Sequence, residues 1–200
     1  MKHAIVVGHP NVDSFNLSVA RAYQEAAIAL GYEVVLRDLY RSGFDPCLKD
    51  GEIPRSAGFE AAPDVQAERA LIGDADVFVF VYPLWFNVPP AIVTGYVQRV
   101  FGLGFGYAAM KEGPAQRLLF GRQMISFSSS ASAAEWLRTE GSWSAIQNLF
   151  DEHLSEVCGL TVIDRRHFGR VAAHTPAIRI EAHLREVKEV VSRHFTEPSS

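Results

Sequence analysis

One stretch of the sequence constrains the fold more than any other. Val77 to Tyr82 is an unbroken run of β-branched and aromatic residues. A strand with one face in water alternates apolar and polar residues, whereas this run is apolar throughout and should be buried on both faces. Strands of that kind lie in parallel sheets that helices cover on both sides. The run therefore predicts the central strand of an α/β fold, ended by Pro83.

The rest of the chain alternates strands with helices around this run. The further strands are expected at Ala4–Val7, Glu33–Leu39, Gln123–Ser128 and Leu160–Phe168. The helices are expected at Ser14–Leu30, Asp64–Gly73, Pro89–Phe101, Ser142–Cys158 and Pro176–Phe195. Such alternation predicts a three-layer, doubly wound sheet of five parallel strands in the order 2-1-3-4-5. We expect one domain over residues 1–195, a short polar tail at 196–200, and a functional or covering loop over about 40–63.

Composition and charge argue against several classes of partner. The net charge of -4 gives no electrostatic reason to expect nucleic acid or an anionic membrane surface. Cys47 and Cys158 are far apart and have no metal-type spacing, so no metal site is expected. The chain shows no signal-peptide pattern and no apolar run of membrane-spanning length. We therefore expect a soluble, cytoplasmic protein without membrane insertion.

The loop after the first strand has the residue types of an anion-binding site. It runs from Gly8 through His9 to Ser14, Phe15 and Asn16, where a helix begins. Free N–H groups at a helix start, together with hydroxyl, amide and imidazole groups, can hold a phosphate. The alternative is that Ser14 merely caps the helix and His9-Pro10 forms a simple turn. Neither glycine-rich nucleotide motif is present.

The loop after the third strand carries apolar residues at positions where exposure to solvent is expected. They are Pro83, Leu84, Trp85 and Phe86. Large apolar side chains at the rim of a sheet need a cover, either a flat cofactor ring, a second subunit, or both. The alternative is that they only close the top of the core. Because the first and third strands are neighbours in the predicted order, the two loops together favour a phosphorylated planar cofactor.

The loop after the fourth strand is small and rich in hydroxyl groups. Ser128, Ser129 and Ser130 could hydrogen-bond the polar edge of a ring through their hydroxyl and backbone N–H groups. The alternative is a polar linker into the next helix.

These loops resemble those of the NAD(P)H:quinone oxidoreductases, the DT-diaphorase-like family of the flavodoxin-like fold. The matching stretches are Gly8-His9-Pro10, Ser14-Phe15-Asn16, Tyr82 to Ala91, Gly95, Arg99-Val100-Phe101, Gly104 to Met110 and His174-Thr175-Pro176-Ala177. They occur from the first strand to the last helix. Each stretch alone is weak, but their combination in this order is specific.

The resemblance implies a homodimeric enzyme that binds FAD, with FMN possible, near the subunit interface. It implies that NAD(P)H reduces the flavin and leaves before a quinone or similar planar acceptor takes a hydride from the same face. The residues expected to bind the phosphate arm of the flavin are His9, Ser14, Phe15 and Asn16. Those expected to line the ring are Pro83, Leu84, Trp85 and Phe86, and Tyr107 matches a tyrosine of the substrate pocket.

The sequence departs from the family pattern in the loop after the fourth strand. The family commonly has Thr-Thr-Gly-Gly there, where this chain has Ser128 to Ala131. A tyrosine and a histidine that follow in DT-diaphorase have Trp136 and Ser142 at the nearest positions here. These departures keep a second hypothesis open, a regulatory flavoprotein that is an accessory subunit of an ion-transport system. A one-electron carrier like true flavodoxins is disfavoured by the Gly8-His9-Pro10 loop and the mild charge.

Overall fold

The computed structural model describes residues 1–54, 58–110, 114–139 and 141–196. Its strands are β1 Lys2–Val7, β2 Glu33–Asp38, β3 Val77–Pro83, β4 Tyr107–Ala108, β5 Gln116–Arg117, β6 Gln123–Ser129 and β7 Thr161–Phe168. Five of them form one parallel sheet in the order β2-β1-β3-β6-β7. Counted along the chain, this order is 2-1-3-4-5, so the predicted doubly wound topology is confirmed.

Helices cover both faces of the sheet. They are α1 Phe15–Ala29, α2 Pro63–Ile72, α3 Ala91–Val100, α4 Ala134–Thr139, α5 Ser142–Ile146, α6 His153–Cys158 and α7 Ala177–Phe195. A π-helical segment, Gln147–Glu152, joins α5 to α6, and Asp50–Glu52 forms one turn of 3₁₀-helix. None of the helices in the described ranges is both long and apolar enough to cross a bilayer.

The central strand divides the core in two, as its sequence predicts. Every residue of β3 is buried. Phe78 and Phe80 pack on the face covered by α2, α3 and α6, whereas Val79 and Val81 pack on the face covered by α1 and α7. Successive side chains of a strand point to opposite faces, so a continuous apolar run supplies both cores at once.

Several elements differ from the sequence prediction. The helix expected at Ser142–Cys158 is interrupted by the π-helical segment, and α4 and the short β4–β5 pair were not predicted. Pro83 is the last residue of β3 rather than a stop after Tyr82. Residues 197–200, four of the five in the expected polar tail, lie outside the described residues.

The irregular segment after β2 covers α3 and is fixed by a buried arginine. The side chain of Arg99 is fully buried and binds Glu52 (Nη2 to Oε1, 2.8 Å) and Asp64 (Nη1 to Oδ2, 2.7 Å). Its Nη1 also donates to the carbonyl oxygen of Asp45. At Gly95, an added Cβ would lie 2.3 Å from the carbonyl oxygen of Pro46. The covering role expected for this loop is therefore observed over the described residues.

Candidate functional site

A cleft of about 490 Å³ opens at the carboxyl ends of β1, β3 and β6. This is the edge of a doubly wound sheet at which ligands bind. The residues predicted as binding residues that line it are His9, Ser14, Phe15, Asn16, Pro83, Leu84, Trp85, Ser129 and Ser130. The structure thus brings most of the predicted site together. Ser128, Phe86 and Tyr107 do not line this cleft.

The start of α1 presents two free N–H groups in the wall of the cleft. Ser14 caps the helix, because its Oγ accepts from the N–H of Leu17 at 3.2 Å, and its carbonyl oxygen accepts from Ser18. In the described part of the chain, the N–H groups of Phe15 and Asn16 make no hydrogen bond. Free N–H groups and the positive end of the helix dipole bind anions. The capping and the anion-binding interpretations of Ser14 are therefore compatible.

His9 stands between this helix start and the indole of Trp85. The centroids of the two rings are 5.6 Å apart. The Nδ1 of His9 lies 3.1 Å from the backbone nitrogen of Asn11, closer than the carbonyl oxygen of Asn11 at 3.3 Å. Burial lowers the pKa of His9 below its usual range; a hydrogen bond to the backbone of Asn11 opposes this shift, and the positive charge of Arg41 adds to it. A neutral His9 that accepts at Nδ1 carries its proton on Nε2.

Asn16 and the carboxyl end of β6 are linked across the floor of the cleft. Asn16 is buried, and its Oδ1 accepts from the hydroxyl of Ser129 at 3.1 Å. This bond assigns the oxygen of the amide and leaves its NH₂ group as a donor. The N–H of Leu84 donates to the carbonyl oxygen of Ser129, which ties the loop after β3 to the same floor.

The loop after β3 exposes its aromatic residues. Trp85 and Val88 exchange two backbone hydrogen bonds, of 3.1 and 3.2 Å, around Phe86 and Asn87. Leu84 is buried and closes the top of the core, whereas Trp85 is 43% exposed and Phe86 is fully exposed. The described residues therefore leave both aromatic rings without the cover that the sequence predicts for them.

The three serines that the sequence placed in a loop bind their own chain, and Ser128 and Ser129 are the last two residues of β6. Ser128 Oγ lies 2.9 Å from Nδ1 of His167, and Ser130 Oγ lies 3.0 Å from Nε2 of the same ring. Ser130 also donates to the carbonyl oxygen of Ser132. The serine hydroxyls thus stabilise the loop, and His167 on β7 links them. No sequence pattern indicates this role of His167, because a single histidine in a polar edge strand has no distinctive spacing.

Tyr107 lies in a separate, more apolar pocket of about 460 Å³. This pocket lies between the segment after β2, α3 and α6, with Ile53, Phe101 and Leu154 among its lining residues. Tyr107 itself is half-buried on β4. Sequence spacing could not separate the two pockets, since the difference depends on the short β4–β5 pair.

Two parts of the site were not predicted from the sequence: the loop after β7, which forms one wall of the cleft, and Arg41, which contacts the loop after β1. The loop after β7 contributes Val171, Ala172, Ala173 and Thr175. Its small apolar residues carry no recognisable chemistry, although His174-Thr175-Pro176 belongs to the resemblance. Arg41, in the irregular segment after β2, donates to the carbonyl oxygens of His9 and Pro10. No local pattern predicts such a contact.

The described residues fit a phosphorylated planar group. The cleft is lined both by unpaired N–H groups and the Asn16 amide at the start of α1 and by the exposed indole of Trp85. An anion at the helix start and an aromatic ring against Trp85 would satisfy both.

The comparisons with known proteins agree with this geometry. A family model described as flavodoxin-like fold matches residues 1–191. This chain belongs to that family. A curated relative from Haemophilus influenzae, named "Uncharacterized NAD(P)H oxidoreductase", is 31% identical over 172 residues, which cover 86% of this chain and 85% of the relative. A solved NAD(P)H:quinone oxidoreductase from Methanothermobacter marburgensis has a TM-score of 0.86 at 26% identity, covering 98% of this chain and 99% of that one.

A third relative is longer than this chain. NAD(P)H dehydrogenase (quinone) 1 of Cavia porcellus is 35% identical over 133 residues, which cover 56% of this chain and 48% of the relative. The chain thus matches about half the length of that enzyme. Together these relatives confirm the predicted membership, and with it the prediction of an enzyme of the NAD(P)H oxidoreductase class.

Proposed function

We propose that this protein is a flavin-dependent NAD(P)H:quinone oxidoreductase. The observation that carries the proposal is the single cleft that joins an anion-binding helix start to an exposed indole. The names of the Haemophilus and Methanothermobacter relatives support the nicotinamide and quinone parts of the proposal.

In this proposal, each wall of the cleft holds one part of the flavin. The N–H groups of Phe15 and Asn16 and the Nε2–H of His9 bind its phosphate. Pro83, Leu84 and Trp85 support its ring. When bound, the flavin supplies the hydride-transfer chemistry, and the protein supplies position and exclusion of water. Flat substrates are held in reactive geometry by stacking, which favours quinones over acceptors that are not planar.

The alternating order implied by the resemblance is part of the proposal. NAD(P)H gives up its hydride and leaves as NAD(P)+ before the quinone enters, so the two substrates are never bound together. Initial rates measured at several fixed quinone concentrations should then give parallel double-reciprocal lines. Intersecting lines would require a complex of the enzyme with both substrates and would contradict this order.

We also propose that the protein is a homodimer. The fully exposed Phe86 and the exposed Trp85 and Val88 are apolar surface that a second subunit could cover. Tyr107 lies in another pocket of the same chain, so its proposed role beside the acceptor requires a second subunit. Analytical ultracentrifugation tests this directly.

The proposed cofactor is FAD, with FMN as the alternative, because the resemblance is to the FAD-binding branch. The test is the absorbance spectrum of the purified protein, mass spectrometry of the released chromophore, and NADPH oxidation with menadione. A yellow protein that reduces menadione is the expected result. A colourless protein whose NADPH oxidation stays at background after flavin is added would refute the proposal. Tight flavin binding without turnover would instead favour the accessory-subunit hypothesis.

A further inference from the structure

Arg41 contacts the loop after β1 and does not line the cleft itself. Its guanidinium is anchored by Asp38, with Nε 2.9 Å from Oδ2. Nη1 donates to the carbonyl oxygen of Pro10 at 2.6 Å, and Nη2 donates to that of His9. Three of its N–H groups are thus used in a fixed fork, a geometry that lysine cannot reproduce.

The hydrogen bonds of Arg41 influence which ring nitrogen of His9 carries the proton. The carbonyl of Pro10 and the N–H of Asn11 belong to one peptide group and point in opposite directions. Arg41 binds the carbonyl, and the N–H donates to Nδ1 of His9 at 3.1 Å. Hydrogen bonds in such a chain polarise and strengthen one another. Arg41 therefore favours the His9 tautomer that accepts at Nδ1 and donates from Nε2.

The chemistry of the cleft makes this donor important. No lysine or arginine is among the described residues that line the cleft, and the acidic Asp13 does line it. An anion there depends on neutral donors: the free N–H groups of Phe15 and Asn16, the Asn16 amide, and the Nε2–H of His9. Losing one donor from such a set weakens the binding of an anion more than the binding of an uncharged ligand.

We propose that Arg41 is a positioning residue for the flavin phosphate, which holds His9 as an Nε2–H donor toward that phosphate. This inference rests on the proposed function, and it names the group of the ligand that Arg41 serves. It predicts that the effect of Arg41 is confined to ligands that carry a phosphate.

The test titrates the apoprotein with FMN and with riboflavin, which has the same ring without the phosphate. Flavin fluorescence gives both dissociation constants. Arg41→Gln should weaken FMN binding about tenfold, the effect of losing one hydrogen bond to a charged group, and should change riboflavin affinity less than about twofold. Arg41→Lys, which keeps the charge without the fork, should behave like Arg41→Gln. Arg21→Gln, at an exposed arginine of α1, is the matched control and should change neither constant.

A second measurement works in the apoprotein without any ligand. The ¹⁵N chemical shifts of His9 report its tautomer, and the wild type should show Nε2–H with an unprotonated Nδ1. Arg41→Lys, the milder variant, should show a mixture of tautomers.

The outcomes separate this inference from the function on which it rests. A wild type that binds none of FAD, FMN and riboflavin, or that binds FMN no more tightly than riboflavin, refutes the proposed phosphate site before any variant is compared. A wild type that prefers FMN, with Arg41 variants that keep that preference, overturns only the role of Arg41. Equal losses for FMN and riboflavin, or an Nδ1–H tautomer in the wild type, also overturn it.

Discussion

Phe86 holds a backbone conformation that phenylalanine rarely adopts. Its φ is +52° and that of Asn87 is +59°, so both central residues of the turn lie in the left-handed region. Turns of this kind favour asparagine and glycine, and a bulky residue there costs about 1 kcal/mol or more. The side chain of Phe86 is also fully exposed. An unfavourable residue at an exposed position indicates a role in contact with something outside the chain.

Replacing Phe86 should therefore separate stability from activity. In dilute apoprotein that is monomeric, Phe86→Asn should raise the free energy of unfolding by about 1 kcal/mol, because asparagine tolerates the left-handed region and no packing within the chain is lost. The same variant should lower quinone turnover or weaken the dimer. Denaturant melts, steady-state rates and sedimentation measure the three effects.

The control is Phe120→Asn, at another highly exposed phenylalanine. Its stability should change by less than about 0.5 kcal/mol, since φ at Phe120 is not positive. Equal stabilisation by both substitutions would show that backbone strain at Phe86 is not the cause.

Gly95 allows α3 to approach the segment after β2. A Cβ at this position would lie 2.3 Å from Pro46 O and 2.5 Å from Pro46 Cβ. Because the main obstacle is backbone, Gly95→Ala should reduce the free energy of unfolding by about 1 to 3 kcal/mol. At Gly51 an added Cβ would meet, among the described residues, one atom, the carbonyl oxygen of Glu60 at 3.8 Å. Thermal melts of Gly51→Ala should match the wild type, and equal losses in the two variants would contradict this explanation.

At the scale of elements, continuous patterns were predictable and short or irregular ones were not. The apolar run of β3 predicted the sheet, and the Ser14 cap of α1 predicted one wall of the cleft, because each follows from local chemistry. The six residues of α4 are too few for helical periodicity, and β4 pairs through only two residues. The position of Tyr107 depends on that pair, so its sequence neighbours could not reveal its pocket.

The buried ion pairs of Arg99 hold the segment after β2 on α3. Arg99→Met would leave the buried carboxylate of Glu52 without its partner. Removing one partner of a buried pair typically costs about 3 to 5 kcal/mol. We expect a loss of that order, and faster hydrogen exchange over residues 45–53, measured by mass spectrometry.

A surface ion pair provides the comparison. Lys188 and Glu25 are 3.0 Å apart, and both side chains are at least half exposed. Lys188→Met should cost less than about 1 kcal/mol and should leave exchange over residues 45–53 unchanged. A similar small effect for Arg99→Met would contradict the role assigned to the buried pairs.

At the scale of the whole molecule, a buried histidine makes stability depend on pH in mild acid. His3 is fully buried, its Nδ1 contacts the hydroxyl of Tyr23 at 2.8 Å, and its Nε2 makes no hydrogen bond in the described residues. Burial lowers the pKa of His3 to about 4. Between the ordinary histidine pKa, about 6.5, and 4, the unfolded chain binds a proton that the folded chain does not. The contribution of His3 to stability therefore falls as the pH is lowered through this window, by up to about 3 kcal/mol.

Asp151 makes a contribution of opposite sign over part of the same window. Burial raises the pKa of its carboxyl to about 6, so the folded chain binds the extra proton and stability falls as the pH rises toward 6. His3→Asn should therefore flatten the acid side of the stability profile, whereas Asp151→Asn should steepen it. Urea unfolding between pH 4 and 7 measures both slopes. Parallel profiles for wild type and His3→Asn would contradict the assignment.

The central claim is that one cleft binds the phosphate and the ring of a flavin on opposite walls. A crystal structure of the flavin-loaded protein tests it most directly. We expect the phosphate within hydrogen-bond distance of the N–H groups of Phe15 and Asn16, and the ring against the indole of Trp85. A flavin bound in the separate pocket beside Tyr107, or a phosphate away from the start of α1, would contradict the claim.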